Sequence, residues 1–167
     1  NTENESIKGA AKIMTQPLPM AYPLAITIFD DTLGKGNAYF AQGDYEKAVE
    51  AFDEVIRLNL QDSVGYKGRG LAYGRLDQYE QAIADYNEAI RLNPKDSTVY
   101  NSRGILYFTI GQYTRAIADY DEVIRLNPQG LKLAMAYYGQ GMIYETIGNS
   151  KESERNFKKA KELGFSP

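Results

Sequence analysis

The hexapeptide EVIRLN at residues 54–59 returns as EAIRLN at 88–93 and as EVIRLN at 122–127. The three copies lie 34 residues apart, and small and aromatic residues around them keep the same step. These residues are Gly36, Gly70 and Gly104; Tyr39, Tyr73 and Tyr107; Tyr45, Tyr79 and Tyr113; and Ala48, Ala82 and Ala116. A constant period of this length indicates one supersecondary unit that stacks on copies of itself.

A fourth and weaker copy follows the three regular ones. It carries Gly141, Tyr144, Gly148, Phe157 and Ala160. Because Gly141 lies 37 residues after Gly104, we predict an insertion of about three residues near 130–133, which is roughly one added helical turn.

Each unit is predicted to contain two helices joined by a tight turn. In the second unit we place them at 63–76 and 79–92, with Asp77 and Gln78 in the turn. Pro94 and Pro128 end the second helices, because proline lacks a backbone N–H and disfavours helix in the residue before it. Gly70 would allow the two helices to approach each other closely.

The sequence resembles the tetratricopeptide repeat proteins, with repeats at 29–62, 63–96, 97–130 and 134–167. The motif residues of the second repeat are Tyr66, Gly70, Tyr73, Ala82, Tyr86, Ala89 and Pro94, and those of the third are Tyr100, Gly104, Tyr107, Ala116, Tyr120 and Pro128. The resemblance implies an all-α, right-handed superhelical solenoid whose first helices line a concave groove. It also implies binding of peptides or protein segments in that groove. The fold by itself implies no particular catalytic activity.

The groove-lining positions of the family can be transferred to this chain residue by residue. They fall on Asn37, Phe40, Lys67, Leu71, Arg75, Asn101, Ile105, Phe108, Tyr138, Met142 and Glu145. This mixture of apolar and polar groups suits an extended peptide with alternate apolar side chains. The positions that clamp a terminal carboxylate in chaperone adaptors carry Leu33, Asn37, Gly68, Thr98 and Ser102, and only Asn37 matches.

Residues 1–28 differ from the array that follows them. Residues 17–29 read PLPMAYPLAITIF, where large apolar residues occupy alternate positions: Leu18, Met20, Tyr22, Leu24, Ile26 and Ile28. This period of two, with three prolines, predicts an extended docking arm after a short helix at 3–14. Three places for the arm remain open: it covers its own first helix, it begins that helix early at Pro23, or it docks on a neighbouring copy. The charged last helix, at 150–163, is predicted to be a polar cap.

Arginine and aspartate vary together between the repeats. Arg69 occurs with Asp85 and Arg103 occurs with Asp119, whereas the first and fourth repeats carry neither partner. We predict structural ion pairs that join the two helices of a repeat.

The composition argues against several classes of function. The chain of 167 residues has no cysteine and no histidine, which removes thiolate nucleophiles, imidazole bases and most zinc sites. The net charge of −3 argues against nucleic acid as a partner, and no apolar run is long enough for a transmembrane segment. We therefore predict no catalytic residue, no metal and no cofactor.

Two functions follow from these observations. The first is a non-enzymatic scaffold that binds an extended protein segment in the groove. The second is a self-assembling structural subunit, for example of an extracellular filament, in which the arm docks on another copy of the chain. The start at Asn1 rather than Met favours a processed secreted or periplasmic form.

Overall fold

The structure is a computed structural model that describes residues 21–127 and 129–165, with the backbone alone described for residues 21–25. These residues form eight α-helices and no strand. The helices are α1 (Ala21–Gln42), α2 (Tyr45–Leu58), α3 (Ser63–Arg75), α4 (Tyr79–Leu92), α5 (Ser97–Thr109), α6 (Tyr113–Leu126), α7 (Leu131–Thr146) and α8 (Ser150–Glu162).

Successive helices pair into four units that stack into a solenoid. Each odd-numbered helix packs against the even-numbered helix that follows it, and that second helix packs against the first helix of the next unit. The first helices α1, α3, α5 and α7 also contact one another in order, whereas within the described ranges no second helix contacts another second helix. The first helices therefore form the inner surface of the array, and the second helices form the outer surface.

The turn inside each unit requires one residue with a positive φ angle. Gly43, Gly111 and Gly148 take this place with φ angles of 82°, 74° and 78°, and Asp77 takes it in the second unit with a φ angle of 58°. A short polar side chain tolerates this conformation better than most residues. The first two turns between units end on an aspartate that caps the next helix, Asp62 or Asp96, whereas Gly130 precedes α7. The Asp96 carboxylate accepts a hydrogen bond of 3.0 Å from the Thr98 backbone N–H.

The predicted helix positions agree closely with the structure in the repeat region. The second unit has its helices at Ser63–Arg75 and Tyr79–Leu92, and the last helix runs over Ser150–Glu162. The insertion predicted near 130–133 is confirmed, because α7 has 16 residues whereas α3 and α5 have 13 each. The added residues lie at the start of α7.

The extended conformation predicted for residues 21–28 is wrong. Helix α1 begins at Ala21 and continues without a break to Gln42, so Tyr22, Leu24, Ile26 and Ile28 are helical. Pro23 is the third residue of α1, where a backbone N–H has no acceptor within the helix, so proline costs no hydrogen bond there. Of the three alternatives, the early start of the first helix describes these residues. Leu18, Met20 and the short helix predicted at 3–14 lie outside the described residues.

An aromatic side chain of the second helix fills the space between neighbouring first helices. Phe52 is 1% exposed, and its ring lies against Gly36 of its own unit and Gly68 of the next unit. Tyr120 repeats this arrangement against Gly139, where an added Cβ would lie 2.5 Å from the Tyr120 ring. These glycines therefore make room for the two rings, which pack the first unit against the second and the third unit against the fourth.

Candidate protein-interaction groove

The residues predicted to line the groove all lie on the first helices. Asn37 and Phe40 are on α1; Lys67, Leu71 and Arg75 are on α3; Asn101, Ile105 and Phe108 are on α5; and Tyr138, Met142 and Glu145 are on α7. Within each helix they are three or four residues apart, which places them on one face. Because the first helices contact one another in order, these faces belong to the inner surface of the array.

The structure brings the candidates of the third and fourth repeats together. A depression of about 210 Å³ between α5 and α7 is lined by Asn101, Ile105, Phe108, Tyr138 and Met142. A second depression of about 640 Å³ is lined by Tyr138, Met142 and Glu145, with residues of α8 on its other side. The two depressions share Tyr138, Met142 and Phe165, so they form one continuous hollow, which we call the α5–α7–α8 hollow.

The sequence prediction of the groove leaves out several apolar residues of this hollow, among them Met135 and Phe165. Phe165 reaches the hollow through a turn after α8, in which Gly164 has a φ angle of 87° and the Phe165 N–H donates to the Ala160 carbonyl at 3.0 Å. The Phe165 ring then lies 4.8 Å from the Tyr138 ring, centre to centre. The signal in the sequence was the glycine and apolar residue directly after a helix, which is typical of the Schellman motif.

The candidates of the first two repeats contact groups of the same chain. The Arg75 guanidinium lies 5.8 Å from the centre of the Phe40 ring, which is a cation–π distance. The Lys67 ammonium donates to the Asp96 carboxylate at 2.8 Å. Asn37 is exposed and Leu71 is half-buried. None of these residues lines the α5–α7–α8 hollow. Three of these five candidates are polar, against two of the six in the last two repeats, so the predicted groove is more polar in its first half.

The charge of Asp96 is stabilised at this surface. Burial raises the pKa of the Asp96 carboxyl, but hydrogen bonds from Lys67 and Thr98 outweigh burial and hold the pKa below its ordinary value of 3.8. Asp96 therefore joins α3 to α5 as a charged group at neutral pH.

The structure also brings both predicted Arg–Asp pairs together. The Arg69 guanidinium donates two hydrogen bonds to the Asp85 carboxylate, of 2.8 and 2.6 Å, and Arg103 donates to Asp119 in the same way, at 2.9 and 2.6 Å. Both aspartates are buried. The hydrogen bonds to Asp85 raise the pKa of the Arg69 guanidinium, whereas burial raises the pKa of the Asp85 carboxyl above its ordinary value of 3.8 despite these bonds.

Each of these arginines has a further partner that the sequence prediction missed. Arg69 also donates to Asp53, and Arg103 also donates to Asn87. Asp53 and Asn87 belong to the second helix of the preceding unit, so one guanidinium ties three helices and two repeats together. The two acceptors lie 34 residues apart, and this shared step was the signal available in the sequence.

Two absences concern the described part of the chain. Over residues 21–127 and 129–165, no three acidic side chains converge as metal ligands. No helix in those ranges is long and apolar enough to cross a membrane.

Comparison with known proteins gives a consistent result. Family models described as tetratricopeptide repeat match residues 33–62, 67–130 and 134–163. The solved structure of MamA is 28% identical, with a TM-score of 0.76 over 81% of this chain and 77% of that chain. The first TPR of Spaghetti (RPAP3), bound to the HSP90 peptide SRMEEVD, is 28% identical, with a TM-score of 0.67 over 72% of this chain and 93% of that chain. MamA from Desulfovibrio magneticus RS-1 shares the fold at 23% identity, with a TM-score of 0.73 over 81% and 75% of the two chains. The search of curated proteins finds no match.

Proposed function

The chain belongs to the tetratricopeptide repeat family, whose members are protein-interaction scaffolds, and we propose that it binds an extended segment of another protein along its first helices. The observation that carries this proposal is the α5–α7–α8 hollow, because it places large apolar side chains on the inner surface of the array. A hollow of this kind accepts the apolar side chains of a peptide, while polar groups at its edge hold the peptide backbone.

The chemistry of the hollow supports a segment with one or two large apolar residues. Ile105 is 47% exposed and lies beside Phe108 and Met142, so a bound side chain would cover apolar surface that now faces water. Asn101 lines the first depression of the hollow and Glu145 lines the second, and they offer an amide and a carboxylate. Methionine adapts its shape to different ligands, which suits a surface that accepts several related segments.

The likeness to peptide-bound RPAP3 supports a peptide as the ligand, but not the same peptide. Of the positions that clamp a terminal carboxylate in chaperone adaptors, this chain keeps Asn37 alone. Gly68 has no side chain to offer, and it is buried against the Phe52 ring. We therefore propose recognition through apolar side chains within the segment rather than through its terminal carboxylate.

A peptide selected by display against the full chain would test the proposal. Its affinity should be measured by calorimetry for the native chain, for Ile105→Glu and for the control Ile147→Glu. Ile105 and Ile147 are each 47% exposed, but only Ile105 lines the hollow. We expect Ile105→Glu to weaken binding about tenfold or more, which is about 1.4 kcal/mol, and Ile147→Glu to leave it unchanged. Equal affinity of the native chain and Ile105→Glu would contradict the proposal.

A second candidate is self-assembly of the chain through its N-terminal region. Helix α1 starts at Ala21, eight residues before Phe29, which is the repeat position that matches Ser63 at the start of α3. This extension exposes two large apolar side chains: Ile26 is 59% exposed and Ile28 is 44% exposed. Burial of this surface against a neighbouring copy would stabilise an assembly.

Light scattering over a range of concentrations tests the second candidate. The native chain should increase in mass with concentration, and the double variant Ile26→Glu, Ile28→Glu should stay monomeric. A native chain that remains monomeric at every concentration would rule out self-assembly through this surface.

A further inference from the structure

The second and third repeats each contain a closed slot for one guanidinium group. Arg69 lies between two tyrosine rings, 5.9 Å from the centre of Tyr66 and 5.8 Å from the centre of Tyr73. In the third repeat, Arg103 lies 5.7 Å from the centres of both Tyr100 and Tyr107. In both slots the guanidinium bonds to an aspartate of its own repeat and to a polar side chain of the preceding repeat.

The fourth repeat keeps the tyrosine walls of this slot but lacks both the arginine and the aspartate of its own repeat, whose position is taken by Asn156. Tyr137 and Tyr144 stand at the two tyrosine positions, and Asp121 stands at the position of Asp53 and Asn87. Gln140 replaces the arginine. Its amide donates to the Asp121 carboxylate at 2.7 Å, but glutamine is shorter than arginine and carries no charge.

A pocket of about 490 Å³ lies at this place. It is lined by Asp121, Tyr137, Gln140, Tyr144, Glu152, Arg155, Asn156, Lys158, Lys159 and Glu162. None of these residues lines the α5–α7–α8 hollow, so the pocket is a separate site. Its volume is within the range of pockets that hold small ligands.

We propose that this pocket binds a guanidinium group supplied from outside the chain. The two filled slots show which group fits between a pair of tyrosines and a carboxylate in this fold. A planar guanidinium stacks on aromatic rings and donates in pairs to a carboxylate, whereas an ammonium is compact and strongly hydrated. In the fourth repeat, Tyr137 and Tyr144 are the matching rings, Asn156 stands at the position of Asp85 and Asp119, and the carboxylate is that of Asp121, at the position of Asp53 and Asn87.

The other charges of the pocket leave Asp121 available. Arg155 lies 3.5 Å from the Glu152 carboxylate, and Lys159 lies 3.8 Å from Glu162. Over the described residues, Asp121 has no ion pair within 4.0 Å, since its hydrogen-bond donor is the neutral amide of Gln140. Lys158 remains as a cation at the edge, where a carboxylate of the ligand would meet it.

NMR titration of the full chain tests this site directly, with the backbone signals of Tyr137, Gln140 and Tyr144 as the readout. The probes are free L-arginine, the blocked tripeptide acetyl-Gly-Arg-Gly-amide, and the same tripeptide with citrulline, which has the shape of arginine without its charge. We expect both arginine probes to shift these signals saturably, and the citrulline peptide to bind at least about tenfold more weakly. If the tripeptide binds more tightly than free arginine, the guanidinium comes from an arginine side chain of a partner protein. If free arginine binds more tightly than the tripeptide, the ligand is the amino acid itself.

Three variants make the test specific. Asp121→Asn should weaken binding about tenfold or more, whereas Glu154→Gln, which removes a charge of α8 outside the pocket, should leave it unchanged. Gln140→Arg should abolish binding, because the chain then fills the slot as it does in the second and third repeats. The proposal is overturned if arginine fails to bind, if citrulline binds equally well, or if Gln140→Arg binds like the native chain.

Discussion

At the scale of single residues, two glycines of α3 have different surroundings. A Cβ on Gly68 would meet the ring of Phe52, which is almost fully buried and has no room to move. A Cβ on Gly74 would lie 3.7 Å from the nearest atom of Leu106, an ordinary contact. The same substitution therefore has opposite consequences at two positions of one helix.

We predict that Gly68→Ala destabilises the chain and that Gly74→Ala does not. Overpacking against Phe52 should cost about 1–3 kcal/mol, which exceeds the gain of roughly 1 kcal/mol that alanine brings to a helix. Gly74→Ala, the matched control, keeps that gain and should be neutral or stabilising. Urea denaturation of both variants measures the free energy of unfolding. A Gly68→Ala chain as stable as the native one would show that Phe52 does not lock the two units.

The buried ion pairs lead to a second prediction at this scale. Arg103→Met leaves the Asp119 carboxylate buried without its cation, and we expect a loss of about 3 kcal/mol in the free energy of unfolding. Arg125→Met is the control, because the Arg125 side chain is 66% exposed and pairs with Glu122 at the surface, where such a pair contributes less than about 1 kcal/mol. Equal losses for the two variants in urea denaturation would contradict a structural role for the Arg103–Asp119 pair.

At the scale of helices, Asp96 performs two tasks at the start of α5. Its carboxylate accepts from the Thr98 N–H as a cap and from the Lys67 ammonium as an ion pair between first helices. Asparagine caps a helix about as well as aspartate, so Asp96→Asn removes the charge and retains the cap. This substitution separates the contribution of the ion pair.

We predict that Asp96→Asn lowers the free energy of unfolding by about 1 kcal/mol at pH 7 and that this difference disappears in acid. The pKa of Asp96 is lower in the folded chain than its ordinary value of 3.8. Its stabilising effect is therefore complete above pH 3.8 and is lost as the pH falls through the folded-state pKa.

Urea denaturation at several pH values between 7 and 3 provides the measurement for this variant. The control is Asp62→Asn, which changes a cap without an ion pair, since Asp62 accepts from the Val64 N–H. It should have little effect at pH 7. A difference between Asp96→Asn and the native chain that stays constant down to pH 3 would contradict the ion-pair explanation.

The start of α1 shows what sequence patterns alone leave open. Proline is compatible with the first turn of a helix and with an extended arm, so the local signal at Pro23 does not distinguish the two. In the repeats, by contrast, three in-register copies of one pattern predicted the helices, because a constant step has a single structural explanation. The added turn of α7 was predicted from the same spacing, because Gly141 lies 37 rather than 34 residues after the matching glycine of the third repeat.

At the scale of the whole molecule, the contacts that the sequence could not predict are those that depend on how the helices pack on one another. The positions of Ile105, Phe108 and Met142 on the inner surface followed from their register in the repeat. The contribution of Phe165 depends on how the last turn folds back over α7 and α8, and the bonds from Arg69 to Asp53 depend on how two repeats meet. The fold of the last turn over the fourth repeat accounts for the first omission, and the contact between two repeats accounts for the second.

The central claim is that the first helices bind a protein segment in the α5–α7–α8 hollow. Met135 and Met142 both line this hollow, so their methyl groups report directly on its occupation. The most direct measurement is an NMR titration of the full chain, labelled at the methionine methyl groups, with the selected peptide. We predict that the signals of Met135 and Met142 shift with the same dissociation constant that calorimetry gives. Saturable binding that leaves both signals unchanged would contradict the claim.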